Sequence, residues 1–432
     1  MKKVKLILIG AGNRGTTYVN EGAKHCEEME IVAVADPNPI RRNYIRDKFG
    51  LPEDRCFEWG EDLLKLPKMA DGAIIATQDR EHYALAMEAI KKGYHLLLEK
   101  PAAPTPAECL AIDEAANAKG VQVLICHVLR YTPFFRLIKK LIDEGRIGKV
   151  MNIEHIEGVG DLHFSHSYIR GDWHNTAQSS PMILAKSCHD IDILQWLLGE
   201  RCTKVQSFGS LKYFCSENKP EGAPEFCYQG CPHETECPYS AIKLYRERQV
   251  PWFARHAAKT PSPTEADIER LVTETTYGRC VFQCDNDVVD HQVVNLEYES
   301  GATASFTVSA FNAGGRRIRI MGSKGELEAR MGSDRITIYD FITRKWEEIM
   351  IKDAVLDESI ASGHGGGDAG IIQAFCQLLV GNYIGKSVAN ITISIENHLV
   401  TFAAEESRLT DKVIFMDEYR NKIHQEIPEH ST

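Results

Sequence analysis

Val4-Lys5-Leu6-Ile7-Leu8-Ile9-Gly10-Ala11-Gly12-Asn13-Arg14-Gly15 is the stretch that decides the fold. An apolar run interrupted by one lysine near its start reads as a strand buried on both faces, and the G-x-G-x-x-G spacing that follows reads as a tight turn into a helix. The first glycine permits the turn and the second lets a pyrophosphate approach the backbone. The third lets helix and strand pack closely, with the helix N-terminus facing the phosphates. The next apolar run, Glu-Ile-Val-Ala-Val-Ala-Asp, ends on Asp36, 21 residues after Gly15. A carboxylate there hydrogen-bonds the ribose hydroxyls of NAD and repels a 2′-phosphate. Arg41 and Arg42 lie just beyond and could accept such a phosphate, so NAD is the expected cofactor with NADP as its competitor. The expected cofactor-binding residues are Gly10, Gly12, Asn13, Arg14, Gly15, Asp36, Arg41, Thr77, Glu99 and Lys100.

Outward from this turn, short apolar runs alternate with amphipathic stretches as far as Cys126. Continuous apolar strands separated by helices imply a parallel sheet covered on both faces. The fold class is α/β, with an N-terminal Rossmann doubly wound sheet over residues 1–127. Residues 128–432 form the expected substrate and oligomerisation domain, α+β, with a large, mostly antiparallel open sheet. That domain opens on a linker helix carrying Phe134, Leu137, Ile138 and Leu141 and ending on Gly145 and Gly148. Beyond it, strands such as Val-Met-Asn-Ile-Glu-His-Ile-Glu alternate, as half-exposed antiparallel strands do. A stretch at about 213–267, rich in Cys, Pro and charge, reads as an insertion.

Composition excludes several classes of function. The chain has 61 acidic and 50 basic residues, a formal charge of -11, and no basic block, so the footprint of a nucleic-acid binder is missing. No run reaches the roughly 18 apolar residues of a membrane span. The apolar N-terminal run is too short for a signal peptide and passes directly into the glycine turn. The 13 cysteines are mostly scattered singly through core-like segments, the pattern of buried thiols in a reducing compartment. A cytoplasmic protein is expected.

Glu99-Lys100-Pro101 at a strand end, after such a glycine turn, resembles the Gfo/Idh/MocA family, named for glucose-fructose oxidoreductase, inositol dehydrogenase and rhizopine catabolism. The resemblance continues through Arg130, Pro133 and Gly145-Arg146-Ile147-Gly148-Lys149-Val150. It then takes in His189-Asp190-Ile191-Asp192 with Trp196 and Gly199, and later Gly322-Ser323-Lys324-Gly325. It implies hydride transfer between a nicotinamide cofactor and a sugar, polyol or related carbohydrate. It also implies a homodimer or homotetramer, commonly built on the open face of the C-terminal sheet. In the family, the lysine of Glu-Lys-Pro reaches the substrate and the nicotinamide ribose; here that residue is Lys100. Pro101 is read in the family as a rigid turn, sometimes with a cis bond.

The second catalytic element departs from the family pattern. Members of the inositol dehydrogenase type carry an Asp four residues before the histidine, and this chain has Ala185 there. His189 remains, and Lys186, three residues earlier, would share its face on a helix. Lys100, Lys186 and His189 are therefore the expected catalytic residues. Gly363-His364-Gly365-Gly366-Gly367-Asp368 precedes a helix and resembles a motif of the redox-assisted glycosidases in the same superfamily. With Tyr131, Arg170 and Trp173, His364 and Asp368 complete the substrate candidates; His127, Asp290 and His291 are further polar choices. Each has a bland reading as a core or loop residue. Cys215, Cys227, Cys231 and Cys237 fall within 23 residues and could hold a structural zinc, although the spacing lacks CxxC pairs.

Three functions compete. The first is an NAD-dependent sugar or polyol dehydrogenase. The second is a redox-neutral, NAD-dependent glycoside-cleaving enzyme that oxidises a ring hydroxyl, eliminates the aglycone and returns the hydride. A non-catalytic nucleotide-sensing regulator is third, because it would not need Lys100, Lys186 and His189 together.

Overall fold

The computed structural model describes residues 3–248, 250–354 and 364–426. Two sheets organise it. The first is six-stranded and wholly parallel, in the order β3-β2-β1-β4-β5-β6. Its strands are β1 (Val4–Ile9), β2 (Met29–Ala35), β3 (Cys56–Phe57), β4 (Gly72–Ile75), β5 (His95–Leu98) and β6 (Val123–Ile125). The chain starts at the centre and leaves in opposite directions, so the turn after β1 opens on a switch point, where doubly wound sheets bind ligands. β4 is buried throughout and β1 everywhere but at Lys5, because helices cover both faces.

The second sheet has nine strands: β7 (Val150–Gly158), β8 (Cys202–Ser210), β9 (His291–Tyr298), β10 (Thr303–Ser309), β11 (Gly315–Gly322), β12 (Gly325–Arg330), β13 (Arg335–Asp340), β14 (Lys345–Met350) and β15 (Ile414–Phe415). Their order is β14-β13-β12-β11-β7-β10-β9-β8-β15, antiparallel except where β7 meets β10. Burial alternates along β9, β10 and β11, which leaves one face of the sheet open. Register aligns Phe208, Val293, Thr307, Ile156 and Arg317 in one row across it. The linker helix spans Pro133–Asp143, capped by the Thr132 hydroxyl, with Phe134, Leu137, Ile138 and Leu141 buried.

Four features differ from the reading of the sequence. The segment expected as one helix around His189 is two, Met182–Ala185 and Cys188–Leu198, separated at Lys186 and Ser187. Cys280 and Cys284, which the strand-like run Arg-Cys-Val-Phe-Gln-Cys-Asp would place on one buried face of a strand, lie instead on irregular backbone, with the Cys284 thiol 3.4 Å from the Cys280 carbonyl. The insertion builds a small apolar core of its own, where Leu244, Tyr245 and Phe253 meet Leu271, Val272 and Tyr277, so its packing runs past residue 267. Helix Gly367–Leu379, from the far end of the chain, packs through Ile371, Ile372 and Phe375 against the first sheet and the helix Asn13–His25.

Candidate active site

The three glycines of the turn meet different surroundings. Gly10 has φ +90°, and a Cβ there would stand 2.5 Å from the Ala76 carbonyl oxygen. A Cβ on Gly15 would come within 2.0 Å of the Gly10 carbonyl oxygen, so the helix lies directly on the turn. On Gly12 the nearest atom would be Arg41 Nη1 at 3.6 Å. The backbone at Gly12 thus stays approachable. Helix Asn13–His25 starts there with no side-chain cap and no acidic residue in its first turn, leaving its N–H groups for an anion. Asp36 is buried and accepts from Ala11 N at 2.7 Å and Asn38 N at 2.8 Å, which fixes it beside the turn. The Thr77 hydroxyl, just past β4, is buried with no hydrogen-bond partner among the described residues. An approachable turn, an uncapped helix end, a buried carboxylate just past β2 and a hydroxyl with no partner among the described residues suit a dinucleotide.

Arg42 Nη1 donates to the Asp36 carbonyl at 2.5 Å, which commits that guanidinium to backbone. Arg14 donates through Nε to Glu99 at 2.8 Å and through Nη2 to Asp368 at 2.6 Å. Tyr18 also donates to Glu99, at 2.5 Å. Burial pushes the Glu99 carboxyl up, but the charges of Arg14 and Lys100 and these hydrogen bonds outweigh it and hold the group below its ordinary value. Glu99 Oε2 accepts from Lys100 N at 2.7 Å, and the Lys100–Pro101 bond is cis. The Ala102 N–H behind it is received by His398 Nε2 at 3.1 Å, so a helix of the second half braces this strand end.

Lys100 Nζ donates to the Ala185 carbonyl at 2.6 Å. Its ammonium therefore rests on backbone at the position where the family pattern has a carboxylate. His189 is the second residue of helix Cys188–Leu198, its ring centroid 6.1 Å from that of His127. Lys186 does not share a helical face with His189, because the helix breaks between them. It lies 3.2 Å from Glu157, which also pairs with Arg316 at 2.9 Å. Burial lowers the Lys186 ammonium below its ordinary value, with Glu157 opposing. The two aspartates after His189 are anchors: Asp190 is held by His155 and Arg316, and Asp192 takes two 2.7 Å bonds from Arg130.

The substrate candidates separate. Trp173 donates to Asp79 at 3.3 Å, beside the crevice, and stacks on His256. Asp368 is committed to Arg14 and so braces the cofactor turn. Tyr131 is buried against Gly370 in the first sheet's core. Arg170 is buried in the insertion, donating to the Arg279 and Tyr239 carbonyls at 2.7 Å each. Asp290 accepts from Lys212 and Tyr213 N–H groups and pairs with His291. His364 begins a short turn, His364–Gly366, and its side chain lies outside the described residues. Reading the sequence missed Glu157, Arg316, His155 and Asp79; only an inward-pointing acid in an alternating strand, Glu157, left a trace.

The zinc expectation is corrected. Among the described residues no group of three or more His, Cys, Asp or Glu is arranged to hold a metal ion. Cys227, Cys231 and Cys237 line a cavity of about 30 Å³ with Cys280, whereas the Cys215 thiol lies 3.4 Å from the Lys212 carbonyl, away from that lining. Burial pushes the Cys237 and Cys280 thiols above their ordinary value. Among the described residues no helix is long and apolar enough to cross a membrane.

Comparison with known proteins agrees with this geometry. The oxidoreductase-family model for an NAD-binding Rossmann fold matches residues 4–127, and that for the C-terminal alpha/beta domain matches residues 139–355. YteT of Bacillus subtilis is 26% identical over 362 residues, 78% of this chain and 80% of YteT. The inositol 2-dehydrogenase/D-chiro-inositol 3-dehydrogenase of Lactiplantibacillus plantarum is 26% identical over 47% of this chain and 55% of that enzyme. An oxidoreductase from Agrobacterium radiobacter, crystallised with NAD+, L-tartaric acid and magnesium, superposes with a TM-score of 0.67 at 15% identity, covering 96% of this chain and 99% of that one. With both halves matched in order, the chain belongs to the Gfo/Idh/MocA family of NAD-binding oxidoreductases.

Proposed function

We propose that this protein is an NAD-dependent oxidoreductase moving a hydride between nicotinamide and a ring hydroxyl of a sugar, polyol or glycoside. The observation that carries the reading is the placement of Lys100. It leaves the carboxyl end of β5, two strands from the glycine turn, and reaches the Ala185 backbone four residues before His189. A bound nicotinamide supplies the hydride acceptor or donor. Lys100 would polarise the reacting hydroxyl or carbonyl, and His189 would hold the hydroxyl proton. Lys186, lowered by burial, is the reserve proton acceptor. Glu99, gripped by Arg14 and Tyr18, orients the strand end that presents Lys100.

One observation favours a second reading. Ala185 leaves no carboxylate beside His189 of the kind the inositol dehydrogenase type carries, which suits redox-neutral glycoside cleavage. A panel of inositols, free sugars and aryl glycosides, followed for both NADH absorbance and aglycone release, tests both. NADH without aglycone supports the dehydrogenase; aglycone without net NADH supports cleavage. No turnover on any member, with cofactor bound, would count against both. The same reading has the chain work in the cytoplasm as a homodimer or homotetramer, joined through the open sheet face where Ile156 and Phe208 are exposed. Light scattering that returned a monomer would remove the assembly.

A further inference from the structure

The cysteine-rich insertion returns to the dinucleotide crevice. Asn38, two residues after Asp36 and the cap of helix Pro39–Phe49, donates through Nδ2 to the Lys259 carbonyl at 3.1 Å. Just before it, on helix Pro251–Ala257, His256 lies 3.5 Å from Asp172, and its ring stacks on Trp173 with centroids 5.6 Å apart and planes 16° apart. Trp173 in turn donates to Asp79, and Arg80 donates to the Thr176 carbonyl at 3.2 Å. These contacts run from the loop after β2 to the loop after β4. In the sheet those strands flank β1, so the contacts bridge the loops on either side of the glycine turn. Arg41, whose guanidinium stands 3.6 Å from the place of a Gly12 Cβ, bears electrostatically on both His256 and Tyr277.

We infer that residues 251–259 of the insertion form a strap that completes the adenosine half of the dinucleotide site, with the Asn38–Lys259 bond as its latch and Arg41 and Lys259 as its cations toward the phosphates. The inference rests on the dinucleotide reading above. A strap of this kind retains the cofactor between turnovers, because the nucleotide leaves only when the latch opens. Lys259 has φ +53°, a conformation that costs an L residue and that glycine adopts freely. Lys259→Gly therefore removes the ammonium without opposing the backbone, and Asn38→Ser removes the donor to Lys259 while keeping an oxygen to cap its helix.

Hydrogen exchange with and without NADH, joined to stopped-flow NADH release, tests the strap in the full chain. Expected are protection by NADH of residues 10–15 and 251–259 together, and release about fivefold faster in Asn38→Ser, the loss of one ordinary hydrogen bond. Lys259→Gly should weaken NADH binding more at low salt than at high salt. Protection of residues 10–15 alone, or wild-type release in both variants, overturns the strap and leaves the dinucleotide reading standing. No protection of either segment overturns both.

Discussion

Alanine at Gly12 should make the protein more stable and a poorer binder of its cofactor. Gly12 has φ −68° and ψ −166°, extended backbone that any residue adopts, and a Cβ there meets nothing nearer than 3.6 Å. A Gly→Ala change at a compatible position stabilises by about 0.4–1 kcal/mol, because the unfolded chain loses freedom. The same methyl projects onto the surface a pyrophosphate must approach. Losing even one charge-assisted hydrogen bond costs about 1.5–3 kcal/mol, which is about tenfold or more in Kd. Gly15→Ala is the contrast. Its Cβ would fall 2.0 Å from the Gly10 carbonyl and 3.1 Å from Leu8 Cδ1, so backbone must move, at a cost of at least about 1–3 kcal/mol. Urea unfolding gives the stability and NADH fluorescence titration the affinity. A Gly12→Ala protein that binds NADH as the wild type does, or that unfolds at lower urea, would refute the assignment of this turn.

Three further outcomes follow from the site. Asp36→Ala should narrow the preference for NADH over NADPH in calorimetric titration; equal affinities in the wild type would mean that Arg41 decides cofactor choice. His189→Ala should lower kcat by about 10²-fold or more with NADH binding nearly unchanged, and Lys100→Met should lower kcat as much while also weakening NADH binding; a variant turning over at the wild-type rate on a verified substrate would clear that residue of a catalytic role. Burial pushes His398 down to about 3 and His166 to about 2, so between pH 6.5 and those values the unfolded chain binds protons that the folded chain refuses. Stability should then be lost as pH falls below 6.5, by up to about 1.4 kcal/mol per pH unit for each histidine; urea midpoints that stay level from pH 6.5 to 4.5 would contradict this.

The first sheet was readable because its strands are continuous apolar runs closed by turn residues, and β1 with its glycines names its own switch point. Asp36, Glu99 and Lys100 could be read for the same reason: each ends a strand of that sheet. Pairings across long stretches of chain were not readable. Arg14 meets Asp368 354 residues later, and no local pattern encodes that distance. The break at Lys186 and Ser187 carries neither Gly nor Pro, so Lys186 looked like a helical neighbour of His189. In β7 the expected polarity is inverted: Ile156 faces out and Glu157 faces in, because Lys186 and Arg316 supply the charge that makes a buried carboxylate tolerable. The cysteines misled through spacing alone, since Cys280, distant in sequence, stands by the cavity where Cys215 was expected.

Helix Gly367–Leu379 bears on how the molecule is made. It seats Ile372 beside Gly22 and Phe375 beside Gly72, filling a face of the first sheet that a fragment ending near residue 127 would expose. During synthesis that face must wait until residues 367–379 emerge, and the grip of Asp368 on Arg14 arrives with the same helix. A ribosome that stops early thus releases a chain whose nucleotide pocket lacks one of its braces and whose uncovered apolar face is open to chaperones and proteases.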